Sequence, residues 1–329
     1  METPMSASAT GITKRGIELL HDPRLNKSTG FTEAERRALG LIGLVPDVTE
    51  SIETQLSRVL LQLKDKTTDL DRFIHLMNLL ETNQTLFYHT LMSDPARFLY
   101  IVYDPTIGEA CLKFDHIFRR PLGMYLSMSR KGQVKEVLRN WPVKDVRVIC
   151  VTNSGRILGL GDLGANGMGI PIGKLQLYTA VASAPPEGLL PMYLDSGTNN
   201  ESYLRDPLCL GLRQHRPSTE KLYAFVDEFM EAVPEFTGIA GPTAKTGPGQ
   251  MRSHSLPATA TRIAATMGLR PGCGQDPGDN DERRIDKSPV ASLPGAGRGS
   301  HTRLLPDLPF PLILRAAVPA ALANSLGSA

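Results

Sequence analysis

Three side chains of this sequence stand where chemistry is possible: Tyr103, Arg156 and Lys174. Arg156 and Lys174 flank the glycine-rich stretch Gly159-Leu160-Gly161-Asp162-Leu163-Gly164, which follows the β-branched run Val146–Thr152. A lysine at the mouth of a glycine-lined pocket loses its proton more readily, because desolvation disfavours the ammonium form, and it then serves as a base. The plainer alternative is a solvated surface charge, which is what most Lys and Arg are. Tyr103 lies in Ile101-Val102-Tyr103-Asp104-Pro105-Thr106, just before a proline turn that would fix its direction; a half-buried packing tyrosine is the simpler reading. Asp195 closes a second apolar run, Leu189–Leu194, and suits loop capping as well as chemistry. Residue types alone therefore describe an α/β protein with a cleft for an anionic ligand.

Gly159 to Gly164 is formally a G-x-G-x-x-G after a strand, the pattern of a dinucleotide site. The fit is poor. The pattern needs a helix opening at the third glycine, whereas Ala165-Asn166-Gly167-Met168-Gly169 reads as continued loop, and no acidic residue ends a second strand about twenty positions on. The stretch before Lys174 is not a P-loop either, because Leu175 stands where Ser or Thr would meet magnesium.

The elements that must position these groups are legible in outline. The first hundred residues read as helical. Thr68-Asp69-Leu70-Asp71 has the form of a capping box, and Leu70, Phe73, Ile74, Met77 and Leu80 make an apolar stripe at helical spacing, which is ordinary core patterning. Ile52–Leu63 repeats the pattern less cleanly, and Asp94-Pro95 reads as the end of the segment. Val146–Thr152, a helix over about 172–182 and the run Leu189–Leu194 form a βαβ unit with a parallel sheet, whose ligands sit beyond the carboxyl ends of the strands. A last helix, Glu220–Val233, carries Phe225, Phe229, Met230 and Val233 along one side.

Composition excludes several classes. A net charge of +2 without a dense Lys/Arg block argues against nucleic acid. No stretch nears the ~18 apolar residues of a membrane span, and the opening METPMSASATGITKRG lacks the apolar core of a signal peptide. Cys111, Cys150, Cys209 and Cys273 are widely spaced without a CxxC, which suits reduced thiols in the cytoplasm better than disulfides or a zinc site.

Longer strings resemble a known family. Arg15-Gly16-Ile17-Glu18-Leu19-Leu20, Tyr103-Asp104-Pro105-Thr106-Ile107-Gly108, Phe118-Arg119-Arg120-Pro121 and Asn140-Trp141-Pro142 are similar to blocks of the malic enzymes. So are Arg156-Ile157-Leu158-Gly159-Leu160-Gly161-Asp162-Leu163-Gly164, Gly167–Leu175, Asp195–Asn200 and Asp227-Glu228-Phe229-Met230, all in family order over some 220 residues. Pattern gives a helical N-terminal region (1–95) and composition a low-complexity, disordered tail (234–329), and the resemblance implies that the segment between them (96–233) is an α/β malate-binding domain with a mainly parallel sheet. It implies that Tyr103 is the general acid that protonates the enolate, Lys174 the general base at the malate hydroxyl, and Arg156 the carboxylate ligand. It further implies oxidative decarboxylation of L-malate to pyruvate and CO2 with NAD(P) and Mg2+ or Mn2+, in a homo-oligomer. The glycine loop then shapes the malate pocket rather than a nucleotide site. Two alternatives accompany this reading: a non-catalytic malate-binding or oligomerisation module, and a fragment of a malolactic enzyme. Departures from the family pattern are Asn153-Ser154-Gly155 for the commoner Asp-Gly-Glu, Ser196 for Val and Asp104 for Thr.

After Val233 the family pattern is lost. Residues 234–329 hold 12 Pro and 12 Gly with no Tyr or Trp, a composition that buries too little apolar surface to fold. Neither the family's metal ligands, a Glu-Asp pair and a later Asp, nor its nucleotide domain is recognisable there, so the chain is expected to be inactive alone. Codons permitted for Gln250–Ile263, read from the third base of the Gln codon, spell D-A-V-A-F-F-A-R-Y-R-D-K-D, which is similar to the malic enzyme segment after the metal pair. The same offset over residues 242–249 permits the Glu-Asp pair itself. Out-of-frame translation is thus the expected origin of the tail. Sequencing the coding DNA around codons 230–270 checks this: the shifted frame should spell malic enzyme sequence, and a shifted frame without it refutes the frame shift.

Overall fold

A computed structural model describes residues 13–237 and 262–266. The chain opens with α1 (Gly16–Leu20) and α2 (Glu33–Leu39), and the Thr32–Glu35 capping box starts the latter, with Thr32 Oγ1 accepting from Glu35 N while Thr32 N donates to Glu35 Oε2. Arg36 holds this region together. Its guanidinium is 2% exposed and donates to the backbone oxygens of Phe31 (2.8 Å), Pro46 (2.7 Å), Thr29 (3.2 Å) and Val48 (2.7 Å). One rigid fork thereby satisfies four carbonyls that the loops leave without strand or helix partners.

Helices α3 (Ile52–Lys64) and α4 (Asp69–Thr82) follow. The box expected at Thr68 forms, with Asp71 N donating to Thr68 Oγ1 and Thr68 N to Asp71 Oδ2. Leu70, Phe73 and Leu76 are the buried stripe of α4, with Ile74, Met77 and Leu80 packed at its margin. Asp94-Pro95 does not end the helical region, contrary to the expectation. Asp94 accepts from Arg97 N and caps α6 (Pro95–Val102), where the ring of Pro95 fits a first-turn position that needs no N–H. Between them lies α5 (Gln84–Ser93), capped by Asn83, and α7 (Thr106–Leu112) and α8 (Phe114–Ile117) carry the helices on to residue 117. One apolar core runs from Val59 through Phe87 and Val102 to Ile157, Leu163 and Ile170, so it crosses the position-95 boundary drawn from pattern.

Strands β1 (Met124–Ser127), β2 (Val148–Thr152), β3 (Leu189–Asp195) and β4 (Arg262–Thr266) form one sheet in the order β1-β3-β2-β4, with every pair parallel. Ser127 and Thr152 stand opposite Asp195 and Tyr193 of β3, so the carboxyl ends of three strands reach one edge. Helix α9 (Val134–Arg139) precedes β2, and α10 (Gly169–Ala182) links β2 to β3 as expected. A 3-10 turn, Gly164–Met168, runs directly into α10, so a helical segment does open at the third glycine where a loop was expected. Helix α11 (Glu201–Arg205) and helix α12 (Thr219–Thr237) complete the order. Glu228 of α12 accepts from Gly132 N (2.8 Å) and Val134 N (3.2 Å), docking on the open N–H groups at the start of α9. Helix α12 passes Val233 by four residues, and β4 also falls within the segment read as a tail; residues 238–261 and 267–329 lie outside the described residues.

Replacing Arg36 with Met keeps the volume but removes its donors; Thr29 O keeps Glu50 N and Phe31 O keeps Thr49 Oγ1, while the Pro46 and Val48 carbonyls can turn to water. With the buried donor fork lost, Arg36→Met is expected to destabilise by roughly 1–3 kcal/mol, read as a lower midpoint in urea unfolding.

Candidate active site

The sheet's carboxyl edge is where the three residues singled out by sequence belong. Tyr103 follows the last turn of α6, and its ring packs on Gly173 of α10: a Cβ on Gly173 would lie 2.8 Å from Tyr103 Cδ2. Lys174 is the next residue and is half-buried. Cys150 of β2 lies within electrostatic reach of both groups. Burial pushes the Cys150 thiol up to about 11, partly offset by the Lys174 ammonium, and the Tyr103 phenol is raised by burial and then by Cys150 and Asp104. The structure thus packs the Tyr103 ring on the residue before Lys174, at the N-terminal end of α10. A raised phenol keeps its proton at neutral pH, which is the state a proton donor requires.

Arg156 lies apart from that pair, on the turn after β2. Ile157 and Gly161 bridge the turn, with Gly161 N donating to Ile157 O at 2.9 Å, and Leu160 leans on Gly108 of α7, five residues beyond Tyr103. Arg156 is exposed and makes no hydrogen bond or ion pair among the described residues, so its guanidinium is open to an anion.

Sequence reading missed Arg216. Its side chain is 11% exposed and pairs with Asp162 through two bonds, Nε to Oδ2 at 2.9 Å and Nη2 to Oδ1 at 2.7 Å. It also donates to Ser196 Oγ (2.8 Å) and Asn153 O (3.0 Å). Burial would raise the Asp162 carboxyl, but Arg216 and the amides of Asn199 and Gly164 outweigh this and hold it below the usual range. The partners are 54 positions apart with no periodic relation, so nothing in the string pairs them. Asp195 turns out to be a cap. Its Oδ1 accepts from Gly197 N (3.1 Å) and Tyr193 OH (3.3 Å), and its Oδ2 from Leu212 N (2.7 Å).

Two glycines of this stretch serve protein packing: a Cβ on Gly167 would collide with Ser154, and one on Gly164 would lie 3.2 Å from Thr198 Cβ, whereas Gly159 and Gly161 face open space at φ +75° and +74°. Among the described residues one set of potential metal ligands converges, Asp115, His116 and Asp206, within 4.8 Å of one another. Its carboxylates already cap local turns, Asp115 accepting from His116 N and Asp206 from Leu208 N.

The architecture defines a class: a parallel α/β domain packed against N-terminal helices, with an exposed arginine on the loop that leaves β2. Residues 80–241 match the family model described as the malic enzyme N-terminal domain. The chain is 49% identical over 223 residues to an NADP-dependent malic enzyme of Phaseolus vulgaris, covering 68% of this chain and 38% of that protein. It is 48% identical over 237 residues to a chloroplastic NADP-dependent malic enzyme of Zea mays (72% of this chain, 37% of that one). A mitochondrial NADP-dependent malic enzyme of Mus musculus is 45% identical over 228 residues (69% and 38%). The N-terminal part of this chain therefore belongs to the malic enzyme family. The chain spans less than two-fifths of the length of these relatives, and their names place them in different compartments, so family membership does not fix a cytoplasmic location. Among the described residues no helix is long and apolar enough to cross a membrane.

Ser154, one of the departures from the family pattern, has φ +56°, is fully buried, and its hydroxyl meets no partner. A left-handed conformation costs an L-residue roughly 1–2 kcal/mol, a cost glycine escapes. Ser154→Gly is accordingly expected to stabilise the fold by about 1 kcal/mol, seen as a rise of roughly 2–4 °C in Tm.

Proposed function

We propose that this chain carries the substrate half of a malic enzyme reaction, with L-malate held between Arg156 and the Tyr103–Lys174 pair. The observation that carries the reading is the packing of Tyr103 on Gly173, which sets a phenol beside the amine-bearing residue at the end of a buried parallel strand. A guanidinium matches a carboxylate in shape and charge, so Arg156 anchors one end of the dicarboxylate. Lys174 takes the proton from the C2 hydroxyl. After CO2 departs, Tyr103 returns a proton to C3 of the enolate.

For the intact family the overall change is oxidative decarboxylation of malate to pyruvate and CO2, with NADP as hydride acceptor and Mg2+ or Mn2+ as Lewis acid. Turnover needs both groups, and we propose that this chain binds malate without turning it over. The names of the relatives favour NADP over NAD. Assembly into a homo-oligomer belongs to the same proposal.

Calorimetric titration of the purified chain with L-malate tests the reading. Binding is expected without NADPH formation in the presence of NADP and Mn2+. Arg156→Gln is expected to weaken binding about tenfold or more, the loss of one charge-assisted bidentate contact. Robust turnover, or malate affinity indifferent to Arg156, overturns it.

A further inference from the structure

We propose that Arg216 is the positioning residue for Arg156, an inference that rests on Arg156 as the carboxylate ligand. The turn bearing Arg156 is exposed at its tip, with Leu158 94% exposed, and Gly159 and Gly161 at φ +75° and +74°. Ile157 and Leu160 pack on the helical core, but the exposed tip and Gly155 on the near stem have no apolar anchor, and an anion-binding arginine between them would lose backbone freedom on binding.

Arg216 grips both stems of that turn. On the near side it donates to Asn153 O at 3.0 Å, and its guanidinium lies against Gly155, where an added Cβ would be 3.2 Å from Arg216 Cζ. On the far side it donates two hydrogen bonds to the carboxylate of Asp162, the residue after the Ile157–Gly161 bridge. A third contact, to Ser196 Oγ at 2.8 Å, ties the assembly to the end of β3. The turn is thereby registered against two strands through one planar group. Asp162 also neutralises Arg216, which leaves Arg156 as the uncompensated cation of the loop. The glycine before Arg156 follows from the same geometry, because the guanidinium occupies the space of its side chain. Lysine would not substitute: a single ammonium lacks the fork that reaches the Asp162 carboxylate, Ser196 and Asn153 together.

The test uses the full chain carrying Arg216→Lys, with Gly155→Ala as an independent variant that displaces the guanidinium without removing it. Amide hydrogen exchange at Leu160, Gly161 and Leu163, whose N–H groups close the turn, is expected to accelerate about tenfold or more in both variants. Amides of Leu76 and Leu91 in the helical core are expected to keep their wild-type rates. Malate affinity should fall about tenfold in Arg216→Lys, yet the same change made in an Arg156→Gln background should cost nothing further, since the effect acts through Arg156. Unchanged exchange in the turn, or losses that simply add, overturns the assignment. If the wild-type chain binds no malate, the substrate reading fails, while the exchange rates still decide whether Arg216 holds the turn.

Discussion

Helix α10 must touch α5, α6, α7, β2 and β3 at once, and the site depends on how it does so. Gly169 and Gly173 lie one turn apart on the same face. Cβ atoms there would stand 2.7 Å from Cys111 Sγ on α7 and 2.8 Å from the Tyr103 ring after α6. The absence of side chains lets two helices close onto α10, and that approach sets Tyr103 next to Lys174. Interiors are packed too tightly to absorb an extra methyl group without displacement, so these positions control the spacing of the chemistry as well as stability.

The second constraint is electrostatic. Parallel pairing ends β2 opposite Tyr193, two residues short of the end of β3 at Asp195, and the loops leaving the strands carry Asn153, Asp162 and Ser196. Asp195 is spent on amide and phenol donors and Asp162 on Arg216, so the acidic groups at this edge are occupied by protein partners. Arg156 remains exposed above them. An edge arranged this way favours an anion, because the negative charges of Asp162 and Asp195 are already engaged by protein donors.

Several residues in family-like strings do structural work. Glu228, in the Asp227–Met230 block, caps α9 across 96 positions of sequence. Its neighbours Phe225 and Phe229 are fully buried. Shared motif strings thus record packing and capping alongside chemistry, and only geometry separates the two.

Local signals were read from the string wherever they were local in physics. The Thr68–Asp71 box, the α4 stripe, the β-branched run before Thr152 and the helix before β3 depend on neighbours within a few residues, and each forms. Asp94-Pro95 was misread because a proline after an aspartate marks a helix start as readily as an end, and only the following turn decides which. The opening at Gly164 was misread because glycines argue against helix by propensity, whereas here close contact with Ser154 and Cys111 requires them. Tyr103, Arg156 and Lys174 were found through resemblance, since their types alone fitted plain roles equally well. What the sequence by itself determined was the family, the parallel α/β plan and these three candidates. What only the tertiary structure decided was that Asp195 caps a loop, that Tyr103 rests on Gly173, and that Arg216 grips the Arg156 turn. Those are contacts between residues far apart in the chain, and no periodicity or propensity encodes a distance that exists only after the chain has packed.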